Sequence, residues 1–277
     1  MEAYSILMSV YAKENPCYFD MAIRSMLDQT VKTDDFVIVC DGPLTEALDQ
    51  VLERYDRENP NLFNIVRLPQ NVGIGAAANA GLQECKNDLV AKMDADDLSV
   101  PTRCERQLQL FREKPELTIA GGYIEEFDQD PDKPFSVRDV PLTQEGITKY
   151  FRRRQPFNNQ TVMFRRSMVK KAGGYRDFRR SEDFDLYLRM LHGGAVAENI
   201  PEILVKVRVN NGAAMRRASF ETLKGCARSR WYAHRLGYAS LLDVMFCVCG
   251  ELLIVISPAK VQQFIYLRFL RKECPND

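Results

Sequence analysis

The feature that most constrains the fold is an alternation of short apolar runs with helical stretches over the first 127 residues. Four apolar runs predict strands, and each is followed by a helical pattern. The predicted strands cover residues 4–10, 36–40, 62–68 and 88–93, and the predicted helices cover residues 16–29, 44–55, 73–85 and 101–112. This order predicts an α/β fold with a mostly parallel sheet and helices on both faces.

After residue 128 the alternation weakens. Strand-like runs return at 161–164 and 202–209, a helix is predicted over 182–191, and from about residue 216 only helical stretches follow. We therefore predict a domain of residues 1–215 and a C-terminal helical segment of residues 216–277.

The composition of this 277-residue chain excludes some kinds of metal site. Only two histidines are present, which excludes a multi-histidine metal site, and the eight cysteines include no CxxC pair. Reduced, buried thiols of a cytoplasmic protein are the expected state. The N-terminus has no basic region or cleavage site, so we predict no signal peptide.

Charge is divided unevenly between the two halves. Residues 1–149 hold 15 basic and 27 acidic residues, whereas residues 150–277 hold 23 basic and 11 acidic residues. An acidic half suits a bound cation and a basic half suits anionic partners.

The densest acidic cluster, Asp94-Ala95-Asp96-Asp97, directly follows the fourth predicted strand. Carboxylates at that position lie at the ligand-binding edge of an α/β sheet. They repel one another unless a cation joins them, and Mg²⁺ or Mn²⁺ prefers oxygen ligands. The alternative is a solvated acidic turn before the helix that starts near Pro101.

Two further loops are predicted at the same edge. Asp41 closes the second strand, and the segment from Asn71 to Gly81, which includes Gly73 and Asn79, opens the helix after the third. Small residues at a helix N-terminus allow a phosphate to approach the backbone. On its own, Asp41 is equally explained as part of an Asp-Gly turn.

These segments, in this order, resemble the family-2 glycosyltransferases, most closely those of bacterial capsule, exopolysaccharide (amylovoran-type) and O-antigen synthesis. The resemblance spans residues 4–209. It rests on Ser9-Val10-Tyr11, Asp41-Gly42, the NxGxxxAxN segment from Asn71 to Asn79, the DADD segment from Asp94, the PxR…Q set of Pro101, Arg103 and Gln107, and Ser181-Glu182-Asp183.

The resemblance implies a GT-A fold, a nucleotide-sugar donor (a UDP-sugar), a divalent Mn²⁺ or Mg²⁺ ion, and inversion at the anomeric carbon. It assigns Asp96 to the metal and Asp183, paired with Glu182, to the general base. The implied nucleotide-sugar site comprises Ser9, Val10, Tyr11, Asp41 (at the nucleoside base), Asn71, Gly73, Asn79, Asp94 (at the ribose or nucleotide), Ala95, Asp96 and Arg208.

Several of these assignments have competing explanations. Asp183 is also explained as an acid in the first turn of a helix, where it would stabilise the helix dipole. Arg208, expected at the diphosphate, is also explained as a surface charge on an edge strand. Asn210 stands where relatives carry a metal-binding histidine, so it is a second metal candidate. Asn159 likewise replaces a histidine in the segment expected near the acceptor.

The C-terminal stretch of residues 238–257 is apolar but contains Asp243 and Glu251, and basic residues flank it. Central acids are costly in a spanning helix, and basic flanks suit an interfacial helix. We predict peripheral attachment to the cytoplasmic face of the plasma membrane. The alternatives are a helical subdomain packed on the core and a homodimer contact.

The sequence therefore predicts a metal-dependent glycosyltransferase that acts on an oligosaccharide acceptor linked to a polyprenyl diphosphate. The rival functions are a sugar nucleotidyltransferase and a non-catalytic nucleotide- or membrane-binding partner in a polysaccharide assembly complex. Nucleic-acid binding is not expected, because basic residues are scattered and Trp231 is the only tryptophan.

Overall fold

A computed structural model describes residues 2–178, 180–209, 219–258, 261–262 and 272–273. Its centre is a parallel block with the strand order β3-β2-β1-β4. These strands are β1 (Tyr4–Val10), β2 (Asp35–Cys40), β3 (Phe63–Arg67) and β4 (Leu89–Asp94). In register, Ser9 lies beside Asp94 and Val10 beside Cys40, so the strands end at one edge. The predicted parallel core is confirmed.

Helices α1 (Pro16–Leu27), α2 (Glu46–Glu58), α3 (Ile74–Glu84) and α4 (Arg103–Glu113) connect these strands and the next long one. The sheet separates two apolar clusters because successive side chains of a strand point to opposite faces. Phe19 of α1 packs with Ile6 on one face, while Ala77 of α3 packs with Leu7 on the other. Helices on both faces are therefore confirmed.

The second half of the chain extends the sheet mainly with antiparallel strands. These are β5 (Leu98–Ser99), β6 (Leu117–Phe127), β7 (Ser136–Arg138), β8 (Met163–Arg165), β9 (Val196–Arg208) and β10 (Lys272–Glu273). Strand β8 pairs antiparallel with both β4 and β6 and so joins the two halves, while β6 and β9 run parallel.

Strand β6 is absent from the sequence predictions, since Gly121 and Gly122 interrupt its apolar pattern. Because Gly122 has no side chain, Leu204 of β9 can pack directly against the backbone of β6. A Cβ atom at residue 122 would lie 2.5 Å from the Leu204 side chain. The prediction of no strand after residue 216 was also wrong, because β10 pairs with β7.

Arg103 and Gln107, two residues of the PxR…Q pattern, are fully buried in the core. Arg103 donates a 2.6 Å hydrogen bond to the carbonyl oxygen of Lys92, at the end of β4. Gln107 donates to the carbonyl oxygens of Ala120 and Thr161. These bonds connect α4, β4 and β6, so this part of the pattern is structural.

The remaining helices are α5 (Gln144–Tyr150), α6 (Arg166–Lys171), α7 (Glu182–His192), α8 (Phe220–Arg235) and α9 (Leu241–Ile256), with a 3₁₀ turn at Asn159–Thr161. The helix predicted over 182–191 is confirmed as α7. Within the described ranges, no helix has the length and apolarity needed to cross a membrane. The predicted domain boundary at residue 215 lies outside the described residues.

Both acids of the apolar C-terminal stretch are on the protein-facing side of α9. Asp243 is buried, forms a capping box with Ser240 and accepts a 2.6 Å hydrogen bond from Arg153. The hydroxyl of Ser240 and the Arg153 guanidinium hold the pKa of Asp243 far below its usual value. Burial raises the pKa of Glu251, and the nearby Arg230 opposes this rise.

Candidate active site

A cavity of about 390 Å³ lies at the carboxyl edge of the parallel block. Most of the residues predicted for the nucleotide-sugar site line it, as the register of the strands requires. The lining comprises Leu7, Ser9, Val10, Tyr11, Glu14, Asp41, Asn71, Gly73, Ile74, Ala78, Lys92, Met93, Asp94, Ala95 and Asp96. We call this space the donor cavity.

Asp41 at the end of β2 organises the loop before α3. Its carboxylate accepts hydrogen bonds from the backbone N–H groups of Val72 (2.7 Å) and Gly73 (3.1 Å) and from the Asn71 side chain (2.9 Å). Gly73 has φ +90°, a conformation that L side chains rarely adopt, and it precedes the first turn of α3. Asp41 therefore positions this wall of the donor cavity.

Asn79 lies apart from the donor cavity and borders a second one. It is in α3, and its amide makes two hydrogen bonds of 2.8 Å with the backbone of Tyr175, one donated and one accepted. This second cavity, of about 500 Å³, shares Asn71, Gly73 and Ile74 with the donor cavity. The two cavities are thus neighbours across the loop before α3.

Asp94 and Asp96 carry their carboxylates at the end of β4 and in the turn that follows. Burial raises the pKa of Asp96 to about 7, and the negative charges of Asp94 and Glu14 add to this rise. Carboxylates crowded in this way favour a bound cation, which would stabilise their ionised forms.

Arg208 is beside this acidic turn. Its side chain lies over the ring of Tyr18 at 3.9 Å and over the ring of Phe127 at 4.6 Å. Its Nε donates a 3.3 Å hydrogen bond to the carbonyl oxygen of Asp96, and its backbone N–H donates to Asp97. At 6% exposure, Arg208 is not the surface charge that the alternative explanation assumed.

Glu182 and Asp183 lie in the first turn of α7. Their position at a helix start fits the dipole explanation, although the Ser181 side chain makes no capping hydrogen bond there. Burial raises the pKa of Asp183 to about 6, and the ammonium group of Lys92 opposes this rise. A carboxylate that titrates near neutral pH suits a general base.

Lys92 is a residue of the site that none of the sequence motifs indicated. Its Nζ lies 3.6 Å from Oδ1 of Asp183 and 3.9 Å from Oδ1 of Asp94, and it connects α7 to β4. A lysine in the otherwise apolar run of residues 88–93 was the available signal, because lysine is almost never fully buried unless it is paired. Asn210, the second metal candidate, lies outside the described residues.

The chain belongs to glycosyltransferase family 2. The profile described as Glycosyl transferase family 2 matches residues 5–173. That range contains the strands whose ends form the donor cavity, together with the DADD turn. Fold and family thus agree with the resemblance that the motifs indicated.

Relatives match this chain along nearly its whole length. An uncharacterised glycosyltransferase of Haemophilus influenzae is 36% identical over 97% of this chain and 99% of its own length. The amylovoran biosynthesis glycosyltransferase AmsE of Erwinia amylovora is 34% identical over 95% and 97%. An Escherichia coli UDP-Gal:alpha-D-GlcNAc-diphosphoundecaprenol beta-1,3-galactosyltransferase is 29% identical over 97% of each chain.

Solved structures share the fold at low sequence identity. The mannosyltransferase PcManGT of Pyrobaculum calidifontis, in complex with GDP-Man and Mn²⁺, aligns with a TM-score of 0.64 at 13% identity over 95% of this chain and 83% of its own. S. aureus TarS 1–349 with UDP-GlcNAc aligns with a TM-score of 0.61 at 16% identity over 97% and 71%. This chain spans 43% of the longer TarS structure. The GT-A fold is confirmed.

The carboxylates of the site fit a divalent cation that is shared with a phosphate-bearing substrate. Mg²⁺ and its close relatives commonly use one or two protein carboxylates and complete their shell with water and phosphate oxygens. Asp94 and Asp96 supply that number on the wall of the donor cavity. In the part of the chain that the structure describes, no cluster of three or more His, Cys, Asp or Glu residues forms a closed protein site.

Proposed function

We propose that this chain is an inverting glycosyltransferase that moves one sugar from a UDP-sugar to a lipid-linked oligosaccharide of a bacterial surface polysaccharide, such as a capsule or an O-antigen. One arrangement carries the proposal. Asp94 and Asp96 lie on the donor cavity, and Asp183 reaches toward them from another element through Lys92.

In the proposed donor complex, the nucleotide lies between the ends of β1 and β2 and the loop before α3. Asp41 holds this loop in place, and Ser9, Val10 and Tyr11 form the opposite wall. Asp96 would hold Mn²⁺ or Mg²⁺, and the bound ion would neutralise charge on the departing diphosphate. Arg208 would hold the backbone of Asp96 in position for this role.

Asp183 is the proposed general base. The acceptor hydroxyl oxygen forms a bond to the anomeric carbon as the bond from that carbon to the diphosphate oxygen breaks. The hydroxyl proton passes to the Asp183 carboxylate, and one such displacement inverts the configuration. Support comes from the position of Asp183 in the first turn of α7, where Lys92 joins it to Asp94, and from its elevated pKa.

The second cavity is the proposed entrance for the acceptor. Glu182, beside the proposed base, lines it together with Tyr175 and Arg180. The E. coli relative is described as acting on alpha-D-GlcNAc-diphosphoundecaprenol, which supports a polyprenyl-diphosphate-linked acceptor for this chain.

We also propose that α9 attaches the enzyme to the cytoplasmic face of the membrane. Its outward side carries apolar side chains that are between 40% and 74% exposed, without a charge among them. We call them the α9 stripe: Leu241, Leu242, Met245, Phe246, Leu252, Leu253 and Ile256. A groove at the start of α9 contains Lys149, Arg152 and His192, which suits anionic lipid head groups.

The test of this function is a transfer assay on the full chain with Mn²⁺. UDP-galactose, UDP-glucose, their N-acetyl forms and GDP-mannose are each offered with α-GlcNAc-diphosphoundecaprenol as the acceptor probe. We expect one UDP-sugar to yield a disaccharide product with the anomeric configuration opposite to that of the donor, shown by NMR.

The variants Asp183→Asn and Asp96→Asn should each abolish transfer while retaining the fold, and Asp56→Asn, at an exposed position of α2, serves as the control. Transfer with retained configuration would contradict the inverting mechanism. Full activity of both site variants would contradict the assignment of the site, and release of pyrophosphate from a nucleoside triphosphate would favour a nucleotidyltransferase.

A further inference from the structure

Lys92 is a buried lysine inside strand β4, at the boundary between the donor cavity and α7. Its side chain is 6% exposed, and its neighbours along the strand, Ala91 and Met93, are apolar and buried. Nζ has no hydrogen-bond partner among the described residues. Its nearest charged atoms are one carboxylate oxygen of Asp183 and one of Asp94, at 3.6 Å and 3.9 Å.

This arrangement is costly for stability alone. Burying an ammonium group removes its water shell, and replacing a whole buried ion pair by apolar side chains of similar volume is often neutral or stabilising. Methionine at this position would continue the apolar pattern of the strand. A charge retained here therefore calls for an explanation in the chemistry of the site.

We propose that Lys92 is a positioning residue for the transfer reaction: its ammonium group lies between the carboxylates of Asp183 and Asp94 and holds the Asp183 carboxylate at the Asp94 side of the donor cavity. This inference rests on the proposed function, in which Asp183 is the base. Lys92 itself need not touch the donor or the acceptor for this role.

The charges around Asp183 support this role. Lys92 and Asp94 face it from β4, Glu182 adjoins it on α7, and the phenols of Tyr175 and Tyr187 lie nearby. Lys92 is the positive charge in this set, while Glu182 and Asp94 both raise the pKa of Asp183.

The pairing stabilises both partners in their charged forms. Burial alone would lower the pKa of Lys92, but the carboxylates of Asp183 and Asp94 raise it above its usual value. The two carboxylates therefore favour the ammonium form of Lys92. Removing that charge leaves the partly buried Asp183 with Glu182 and Asp94 as its charged neighbours, and both favour its protonated form.

The experiment compares Lys92→Met with Lys92→Arg in the transfer assay across pH 5 to 9. An opposite charge at this distance shifts a carboxyl pKa by about one to three units. We expect the acidic limb of the kcat/KM profile of Lys92→Met to move upward by about two units. With the wild-type limb near pH 6, a shift of that size lowers the rate at pH 7 about tenfold, and much of the loss is recovered at pH 9. Lys92→Arg should keep the original limb.

Binding of UDP, followed by thermal stabilisation, checks that Lys92→Met keeps the fold and the donor cavity. If this variant fails to fold, Lys92→Gln replaces it against the same arginine control.

An unchanged pH profile in a folded Lys92→Met variant would overturn the inference. That result would not affect the proposed function, which the wild-type chain and Asp183→Asn test by themselves. Absence of transfer by the wild-type chain with every nucleotide sugar would instead overturn the proposed function, and the inference with it.

Discussion

Asn79 of helix α3 and Tyr175 of the segment before α7 form a closed pair, in which one amide side chain satisfies both backbone groups of the partner. The Asn79 Nδ2 donates to the Tyr175 carbonyl oxygen and the Tyr175 N–H donates to the Asn79 Oδ1, each at 2.8 Å. The residues are 96 positions apart in the chain. This pair holds the segment that leads to Glu182 and Asp183 against α3.

Replacing Asn79 with alanine should therefore reduce the free energy of unfolding. Each buried group left without a partner costs about 1–3 kcal/mol. We expect Asn79→Ala to lose about 2 kcal/mol in urea unfolding, and Asn79→Asp to lose less, because it still accepts from the Tyr175 N–H. Gln50→Ala, on the exposed face of α2, is the control. Wild-type stability of Asn79→Ala would show that the pair contributes little.

The activity should depend on pH through Asp183. Burial raises the pKa of its carboxyl group to about 6, and a base must be ionised to accept a proton. With Mn²⁺ kept saturating at each pH, kcat/KM should fall about tenfold per unit below pH 6 and level off above it. The Asp183→Glu variant, if active, should show a displaced limb. A rate that stays constant down to pH 5 would exclude Asp183 as the base.

Arg208 should support the acidic turn through its shape as well as its charge. Lysine keeps the charge but lacks the planar group that stacks on aromatic rings and the Nε donor. We expect Arg208→Lys and Arg208→Met both to weaken metal-dependent UDP binding, by about tenfold for lysine and more for methionine. Arg112→Lys, at the end of α4, is the control. If Arg208→Lys binds UDP as the wild type does, the stack and the bond to Asp96 are dispensable.

Membrane attachment should depend on the α9 stripe. Burying one leucine or phenylalanine side chain contributes about 1.5–3 kcal/mol. The double variant Leu242→Glu, Phe246→Glu should therefore lose at least about tenfold in binding to phosphatidylglycerol vesicles, measured by co-sedimentation. Phe135→Glu, at an exposed position near β7, is the control. If the stripe instead joins two copies, the double variant changes the oligomeric state and leaves vesicle binding unaltered.

The parallel half of the fold could be predicted from sequence because its signals are local. Strands β1, β2 and β4 are buried on both faces of the sheet, so their sequences are continuous apolar runs, while β3 at the end of the sheet is only partly buried. Strand β6 gave no such signal. Its glycines make room for side chains of β9, and that relationship appears only after the two strands, about 80 residues apart, have paired.

The residues of the candidate site also differ in whether a local sequence pattern predicts their position. Asp41, Asp94 and Asp96 follow predicted strands, and their meeting at one edge follows from the parallel order. The association of Asp183 with Lys92 depends on how α7 packs against the sheet, which no local pattern determines. No local pattern indicated that Asp41 would bond the backbone of Val72 and Gly73, or that Asn79 would bond that of Tyr175. These partners lie 31 to 96 residues away along the chain and come close only in the folded protein.

The central claim is that the donor cavity is a metal-dependent nucleotide site built on Asp96. Isothermal titration calorimetry of UDP into the wild-type chain and into Asp96→Asn, each with Mn²⁺ and with EDTA, tests it most directly. We predict binding by the wild type with Mn²⁺, and a loss of at least about tenfold in affinity either with EDTA or in the variant. UDP binding that is equally tight in all four titrations, or absent from the wild type with Mn²⁺, would contradict the claim.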